Sequence, residues 1–329
     1  MKVGIDRYIF IVMRVFFFIL LIPSLVWAQR LPSISARVDR AGFGVFVGGD
    51  LTGSGIVIDP TGLALTAAHQ IVQQDEALHA RSIHLGASPL TVLAVDLGHD
   101  LALIQLGKRT APYDYVPLAQ QIPGLGEPIY LLGSPIYRHN LLLRGSIARA
   151  QAGYEYFPSR RHYVRVGYVS GPSPAGTSGG AWLSADGHLV GIQIGLMHTG
   201  TPNGSAPVGI AYMAPLDGIR ALVKRRRSIQ RPSLMIGVEE LWEQDADARR
   251  AFQPQSTGLY VAKMSADSPA AIAGLAVGDL IISMGDQPVI YRDSVLNSIR
   301  SKQAEETIRL TVMGQNRKTR RLSISLSPL

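Results

Sequence analysis

The chain has 329 residues, a formal net charge of +8, 47% apolar residues and 17% charged ones. That balance excludes global disorder and accommodates two folded domains beside a targeting segment. With no cysteine in the sequence, disulfides, thiolate metal sites and a cysteine nucleophile are all excluded.

Lys2, Arg7 and Arg14 make the N-terminus positive, and the apolar run Val15–Ile22 follows, broken by Pro23-Ser24. Val26-Trp27-Ala28 then places small residues at the two positions a signal peptidase reads. This layout predicts a secretory signal peptide over residues 1–28, cleavage before Gln29 and export to a bacterial periplasm. The run is shorter than the roughly 20 residues of a spanning helix. Counting Ile9–Met13 despite Arg14 gives the alternative, an uncleaved inner-membrane anchor with the rest facing the periplasm. The mature chain keeps a charge of +6. Its two basic clusters, Lys224–Arg227 and Arg317–Arg321, lack the interleaved aromatics of a nucleic-acid surface, so no nucleic-acid partner is expected.

From Val45 to Leu118 the pattern is short strands separated by turns. Gly55–Asp59, Leu63–Thr66, Ser82–Leu85, Leu90–Val95 and Leu101–Leu106 read as strands, with a tight reversal at Asp59-Pro-Thr-Gly62. A second β group follows: Pro128–Leu132, Leu141–Ala148, His162–Val166, Ala181–Leu183, Leu189–Ile194 and Gly209–Met213. The stretch Leu196–Pro207 between the last two is polar and turn-rich and reads as a loop. Two β groups of similar size predict two barrels. Leu216, Ile219 and Leu222 are spaced for a closing helix over Pro215–Lys224.

After a short basic linker the pattern changes. Ile236–Val238, Gly258–Ala262, Leu280–Ser283, Ile308–Val312 and Arg321–Ser325 read as strands. Ala246–Phe252, Ser268–Gly274 and Ser294–Ser301 read as helices. The expected organisation is a signal peptide at 1–28, a double-β domain at 29–227, a linker at 228–233 and a small α+β module at 234–329. There is no internal repeat.

The chemistry centres on Gly171-Pro-Ser-Pro-Ala-Gly-Thr-Ser-Gly-Gly-Ala-Trp182. Glycines there permit positive φ and close backbone approach. A serine in such a turn projects its hydroxyl while nearby N–H groups converge on one point, as acyl transfer requires. A plain surface turn explains the same composition. Two other stretches supply what a serine nucleophile needs. Thr66-Ala-Ala-His69 puts a histidine at a strand exit. Asp100 sits just ahead of an apolar strand, where a buried carboxylate needs a partner. The order His69, Asp100, Ser178 is that of the chymotrypsin-type double barrel. The histidines show no metal-binding spacing, so no metal or cofactor is expected.

Together these motifs resemble the HtrA/Deg-type periplasmic serine proteases, a chymotrypsin-like double β-barrel followed by a PDZ domain. The matching stretches are Gly53–Ile58, Leu65–His69, His99–Leu103, Gly176–Gly180 and Gly209–Pro215. In the second domain they are Ile236–Val238, Ser268–Leu275 and Gly278–Ile281. The resemblance implies Ser178 as nucleophile, His69 as general base and then acid, and Asp100 as the residue holding the imidazole in the useful tautomer. It implies an oxyanion hole from the N–H groups of Gly176 and Ser178. Small residues at Ser173, Ala175 and Ala211 would suit an aliphatic side chain before the cut.

In the PDZ domain the resemblance implies a turn at Ile236, Gly237 and Val238 that meets a peptide's terminal carboxylate, with Leu296 and Ile299 on the opposite wall. Expected partners are unfolded or misfolded envelope proteins, C-terminal peptides and further copies in a homotrimer, for which Phe43 and Phe46 are contact candidates unless they are core. Three residues depart from the family pattern: Thr177 stands where Asn or Asp is usual, Pro172 and Pro174 stiffen the loop before the serine, and Gln70 replaces an apolar residue after the histidine.

Overall fold

The computed structural model describes residues 36–72, 74–201 and 204–329. The expected signal peptide and its cleavage site lie outside the described residues. Among the described residues no helix is long and apolar enough to cross a membrane.

Six strands close the first barrel: β1 (Gly42–Val47), β2 (Asp50–Val57), β3 (Leu63–Ala67), β4 (Leu78–Ser82), β5 (Gly86–Asp96) and β6 (Leu101–Leu106). Their order is β1-β2-β3-β6-β5-β4. The Asp59–Gly62 reversal forms as its residues dictate. Asp59 Oδ1 accepts the Thr61 N–H at 2.7 Å, and Gly62 takes a φ of 87°. Leu65 and Leu103 are fully buried on one face of the sheet and Ile104 on the other, with Phe43 and Val45. The strand expected at Ser82–Leu85 is instead a turn. Ser82 Oγ accepts the Leu85 N–H, and Ile83 is 91% exposed, so its β-branch is not used for packing. Phe43 lies in the barrel core over Gly55, which answers its candidacy as an intersubunit contact, while Phe46 lies under Arg81.

The second barrel is built from β7 (Pro128–Gly133), β8 (Leu141–Ile147), β9 (Gly153–Phe157), β10 (His162–Ser170), β11 (Ala181–Leu183), β12 (Leu189–Thr201) and β13 (Gly204–Pro215). Its ring closes because the second half of β10 pairs with β13 and β8. The first half of β10 pairs only with β9, so the β9–β10 hairpin projects from the ring. The expected loop at Leu196–Pro207 is strand: β12 and β13 stay paired out to Thr201 and Gly204. Polar side chains do not prevent an exposed hairpin, because the ladder itself satisfies the backbone. Helix α1 (Leu216–Arg225) buries Leu216, Ile219 and Leu222.

The third unit has a sheet ordered β15-β16-β17-β19-β20, from β15 (Ile236–Glu240), β16 (Leu259–Met264), β17 (Leu280–Met284), β19 (Thr307–Met313) and β20 (Thr319–Ser325). β18 (Gln287–Pro288) pairs with β17, and β14 (Pro232–Ser233) pairs with β21 (Ser327–Pro328). Helices α2 (Ala246–Arg250), α3 (Pro269–Ile272) and α4 (Arg292–Arg300) complete it. β15 is an edge strand, and α4 lies beside it. The Ile236–Val238 segment, read as a strand from its residues and implied as a turn by the resemblance, is part of a strand, preceded by Met235 at a φ of 55°.

The connection between barrel and third unit is fixed by charge. Asp96, at the end of β5, is fully buried and accepts from Arg231 at 2.7 Å and from His99 Nδ1 at 2.9 Å. Burial pushes the Asp96 carboxyl up, but His99 and Arg231 together outweigh it and hold the group down at about 2. A carboxylate depressed in this way stabilises the fold above the ordinary carboxylate range and loses that contribution as pH falls toward 2. The difference corresponds to roughly 2 kcal/mol. Urea midpoints measured at pH 5 and near pH 2.5 should show this loss in the parent chain and a smaller one in Asp96→Asn. Equal losses in the two would rule the pairing out as the source.

Candidate active site

The register of β3 against β6 opposes Ala67 to Leu101. His69 follows on a single helical turn after β3, and Asp100 precedes β6, so the pairing brings the two together. The Ala68 N–H donates to the Asp100 carbonyl at 2.9 Å. His69 then meets Asp100 twice, its backbone N–H on Oδ1 at 2.9 Å and its Nδ1 on Oδ2 at 2.7 Å. Asp100 is 2% exposed and takes a left-handed φ of 54°. That conformation, tolerated by Asp better than by most residues, turns the carboxylate back over the histidine. Nδ1–H donation fixes the tautomer that leaves the Nε2 lone pair available as a base.

Ser178 lies in the loop between β10 and β11, anchored to the first barrel by its own carbonyl, which accepts the Ser54 N–H at 2.7 Å. Ser54 Oγ donates to the Gly176 carbonyl and accepts the Ser134 N–H, both at 2.9 Å. One hydroxyl therefore ties both barrels to the serine loop. Gly176 takes a φ of 91°, and a Cβ there would lie 2.4 Å from the Ser134 carbonyl oxygen. Gly179, at a φ of 80°, lies as close to Ser54.

Two contacts set the direction of the expected oxyanion donors. The Ile136 N–H donates to the Ala175 carbonyl at 2.8 Å, orienting the peptide whose other end is the Gly176 N–H. Ile136 does so at a φ of 47°, a strained choice for a β-branched residue and one that concentrates at functional sites. Thr177 is buried, and its Oγ1 donates to the Pro174 carbonyl at 2.7 Å. Threonine thus closes the turn back onto Pro174. Among the described residues neither the Gly176 nor the Ser178 N–H has an acceptor, so both donors are free. Behind them Gln193 bonds Trp182 Nε1, Ser173 Oγ and the Gly195 carbonyl, which fixes Ser173 in a buried position. Ala211 is fully buried as well, while Ala175 is exposed.

Two further side chains complete the surroundings of His69. Arg160, at the tip of the β9–β10 hairpin, pairs with Asp100 Oδ2 at 2.9 Å and lies 2.9 Å from His69 Nδ1. Burial pulls its guanidinium below the ordinary value, against the opposing pull of Asp100. Gln70 Nε2 lies 2.7 Å from His69 Nε2. Among the described residues no hydrogen bond joins Ser178 Oγ to the imidazole. The departure at Gln70 was visible in the sequence. Arg160, in a turn of ordinary composition, carried no signal.

Residues 53–192 match the trypsin-like peptidase domain family, and residues 246–326 match the PDZ domain family. The chain thus pairs a trypsin-like peptidase domain with a PDZ domain, and it is similar to proteases of the HtrA and Deg type. It is 27% identical over 268 residues to the Serine protease HTRA1 of Xenopus tropicalis, covering 76% of this chain and 55% of that one. It is 24% identical over 283 residues to the probable periplasmic serine endoprotease DegP-like of Pseudomonas putida (strain W619), covering 84% and 56%. The chain thus spans a little over half the length of these curated relatives. The solved HtrA-type protease AlgW with decapeptide superposes with a TM-score of 0.62 at 18% identity, over 90% of this chain and 98% of that one. This last likeness shows the fold.

The second site expected from the HtrA/Deg resemblance lies between β15 and α4. Ile236, Val238, Leu296 and Ile299 line one shared cavity there, and Gly237 faces Lys263 and Tyr156 instead. A side chain from the protease domain fills that cavity. The Val238 N–H donates to Tyr163 Oη at 2.8 Å, and Oη donates in turn to the Val238 carbonyl. Burial pushes the Tyr163 phenol up, so it keeps its proton for that donation. The Tyr163 carbonyl accepts from Arg300 at 2.6 Å, and Tyr154 Oη donates to Asn297 at 3.0 Å. The space left measures about 20 Å³, room for about one water.

Ser54→Ala should destabilise the chain by about 1–3 kcal/mol, because it strands the buried Ser134 N–H and the Gly176 carbonyl. Urea unfolding checks this. A change below about 0.5 kcal/mol would mean that the hydroxyl does not hold the loop.

Proposed function

We propose that this chain is a serine endopeptidase of unfolded or damaged envelope proteins, acting in the periplasm. The observation that carries the reading is the His69–Asp100 pair, fixed by two hydrogen bonds beside a serine loop whose Gly176 and Ser178 N–H groups have no acceptor among the described residues. In this reading Ser178 Oγ gives its proton to His69 Nε2 and attacks the scissile carbonyl carbon. Asp100 stabilises the imidazolium, and the Gly176 and Ser178 N–H groups meet the oxyanion. His69 then returns the proton to the leaving amine, and water hydrolyses the acyl-enzyme. The relatives, a serine protease and a probable periplasmic serine endoprotease, support the assignment and the compartment. Ser178→Ala should abolish casein cleavage by the purified chain while leaving its melting curve unchanged. Cleavage at the parent rate would end this reading.

One observation favours a second reading, a non-proteolytic holding protein built on the same barrel: the Gln70 amide rather than Ser178 engages His69. Casein left intact by the parent chain but protected from aggregation would select it.

The PDZ groove supports a regulatory role in the same proposal. A peptide that adds as a strand to β15 needs the Val238 N–H and C=O, which Tyr163 already holds. A C-terminal peptide must therefore displace the hairpin, and its apparent affinity is reduced by the fraction of molecules with the groove closed. Tyr163→Ala should tighten binding of a fluorescent peptide with an apolar, free C-terminus by roughly 10-fold or more in anisotropy titrations. C-terminal amidation should remove binding in both proteins. Equal affinities for the parent and Tyr163→Ala would show that the hairpin does not gate the groove.

A further inference from the structure

The Gln70 carboxamide occupies the one position from which Ser178 has to be activated. It lies 2.7 Å from His69 Nε2, and the Gln70 side chain is only 9% exposed. It rests against Gly53, where a Cβ would come within 2.8 Å of Gln70 Cδ, 2.9 Å of its Oε1 and 2.7 Å of the Ser178 carbonyl oxygen. A side chain at position 53 would push the amide away, so the glycine makes room for it. On the other ring nitrogen, Asp100 Oδ2 accepts Nδ1–H, and Arg160 holds the same oxygen. With Nδ1 protonated, Nε2 carries a single lone pair. Two donors compete for it, the Gln70 N–H and the Ser178 hydroxyl.

We propose that Gln70 is a positioning residue that caps His69 Nε2 in the resting protein and must turn aside before Ser178 can transfer its proton. This rests on the serine-endopeptidase reading above. The cap acts through chemistry as well as position. While the amide N–H points at Nε2 it fits only the neutral imidazole, because protonation there would set two N–H groups face to face. The Ser178 proton can reach Nε2 only after the carboxamide rotates out of line, and the electron pair released at Oγ then forms the bond to the substrate carbonyl carbon. An apolar residue at position 70 offers no such competition.

The test uses the full chain and compares Gln70→Met, which keeps the reach of the side chain but has no N–H, with the parent. Diisopropyl fluorophosphate reacts with Ser178 through the same proton transfer, with fluoride leaving, and intact mass follows the adduct. Gln70→Met should be phosphorylated by the reagent roughly 2–10-fold faster, the range expected for losing one neutral hydrogen bond. kcat on casein should rise by a similar factor with KM unchanged. In 15N spectra the His69 Nε2 resonance should move downfield, toward a free imine nitrogen. Gln70→Leu serves the same purpose if the methionine variant does not fold. Equal or slower adduct formation in a folded variant, or an unmoved Nε2 resonance, overturns the proposal. No adduct on the parent or on any variant would instead sink the endopeptidase reading, while the 15N shift would still report on the cap.

Discussion

The site depends on keeping one carboxylate charged inside the protein. Asp100 is 2% exposed, and an isolated ionised carboxylate at such depth is far too costly to retain. It is retained because donors reach both of its oxygens: the His69 backbone N–H on one, His69 Nδ1 and Arg160 on the other. The first two donors follow from the β3–β6 register and from the left-handed backbone at Asp100. A slip of one residue in that ladder would turn the strand faces over and separate the pair. Barrel register and the orientation of the imidazole are therefore one constraint.

The third donor comes from elsewhere. Arg160 rides on the β9–β10 hairpin, which leaves the second barrel because the early part of β10 pairs with nothing but β9. The free faces of this hairpin carry Tyr154, Tyr156 and Tyr163, and these pack into the core of the PDZ domain with Ile236, Val238 and Ile299. Burial of three aromatic rings is a large apolar contribution. The hydroxyls of Tyr163 and Tyr154 are satisfied by Val238 and Asn297. A structure with an open groove would leave this aromatic surface in water.

The double barrel, the PDZ-like sheet and the pairing of His69 with Asp100 were legible because they rest on local patterns: alternating strands, glycine turns and a histidine at a strand exit. Two segments misled for physical reasons. Ser82–Leu85 has strand-like composition, but Ser82 Oγ closes a turn there. Leu196–Pro207 has loop-like composition, but the β12–β13 ladder runs on through it. The contacts that govern access to the sites were not legible. Tyr163 reads as one more aromatic in a strand, and Arg160 as one more surface cation. The place of Tyr163 depends on Val238, 75 residues later in the chain, and that of Arg160 on Asp100 in the first barrel. Gln70 was conspicuous only as a departure, and its meaning required the distance to Nε2.

Arg160 and Tyr163 stand three residues apart on one hairpin, the first on Asp100 and the second in the groove between β15 and α4. To the extent that the hairpin moves as one body, the two contacts share a single equilibrium. Linkage then requires reciprocity: a ligand that removes Tyr163 from the groove weakens the hold of Arg160 on Asp100, and a ligand that draws Arg160 off the site loosens Tyr163 by the same free energy. The size of that coupling is bounded by the differential contacts, two hydrogen bonds and one ring at the groove against one buried ion pair at the site. Gln70 lies on the opposite face of the imidazole and belongs to the first barrel, outside this equilibrium. The resting site is thus held by two restraints of different origin, one tied to the second domain and one built into the turn that carries the histidine.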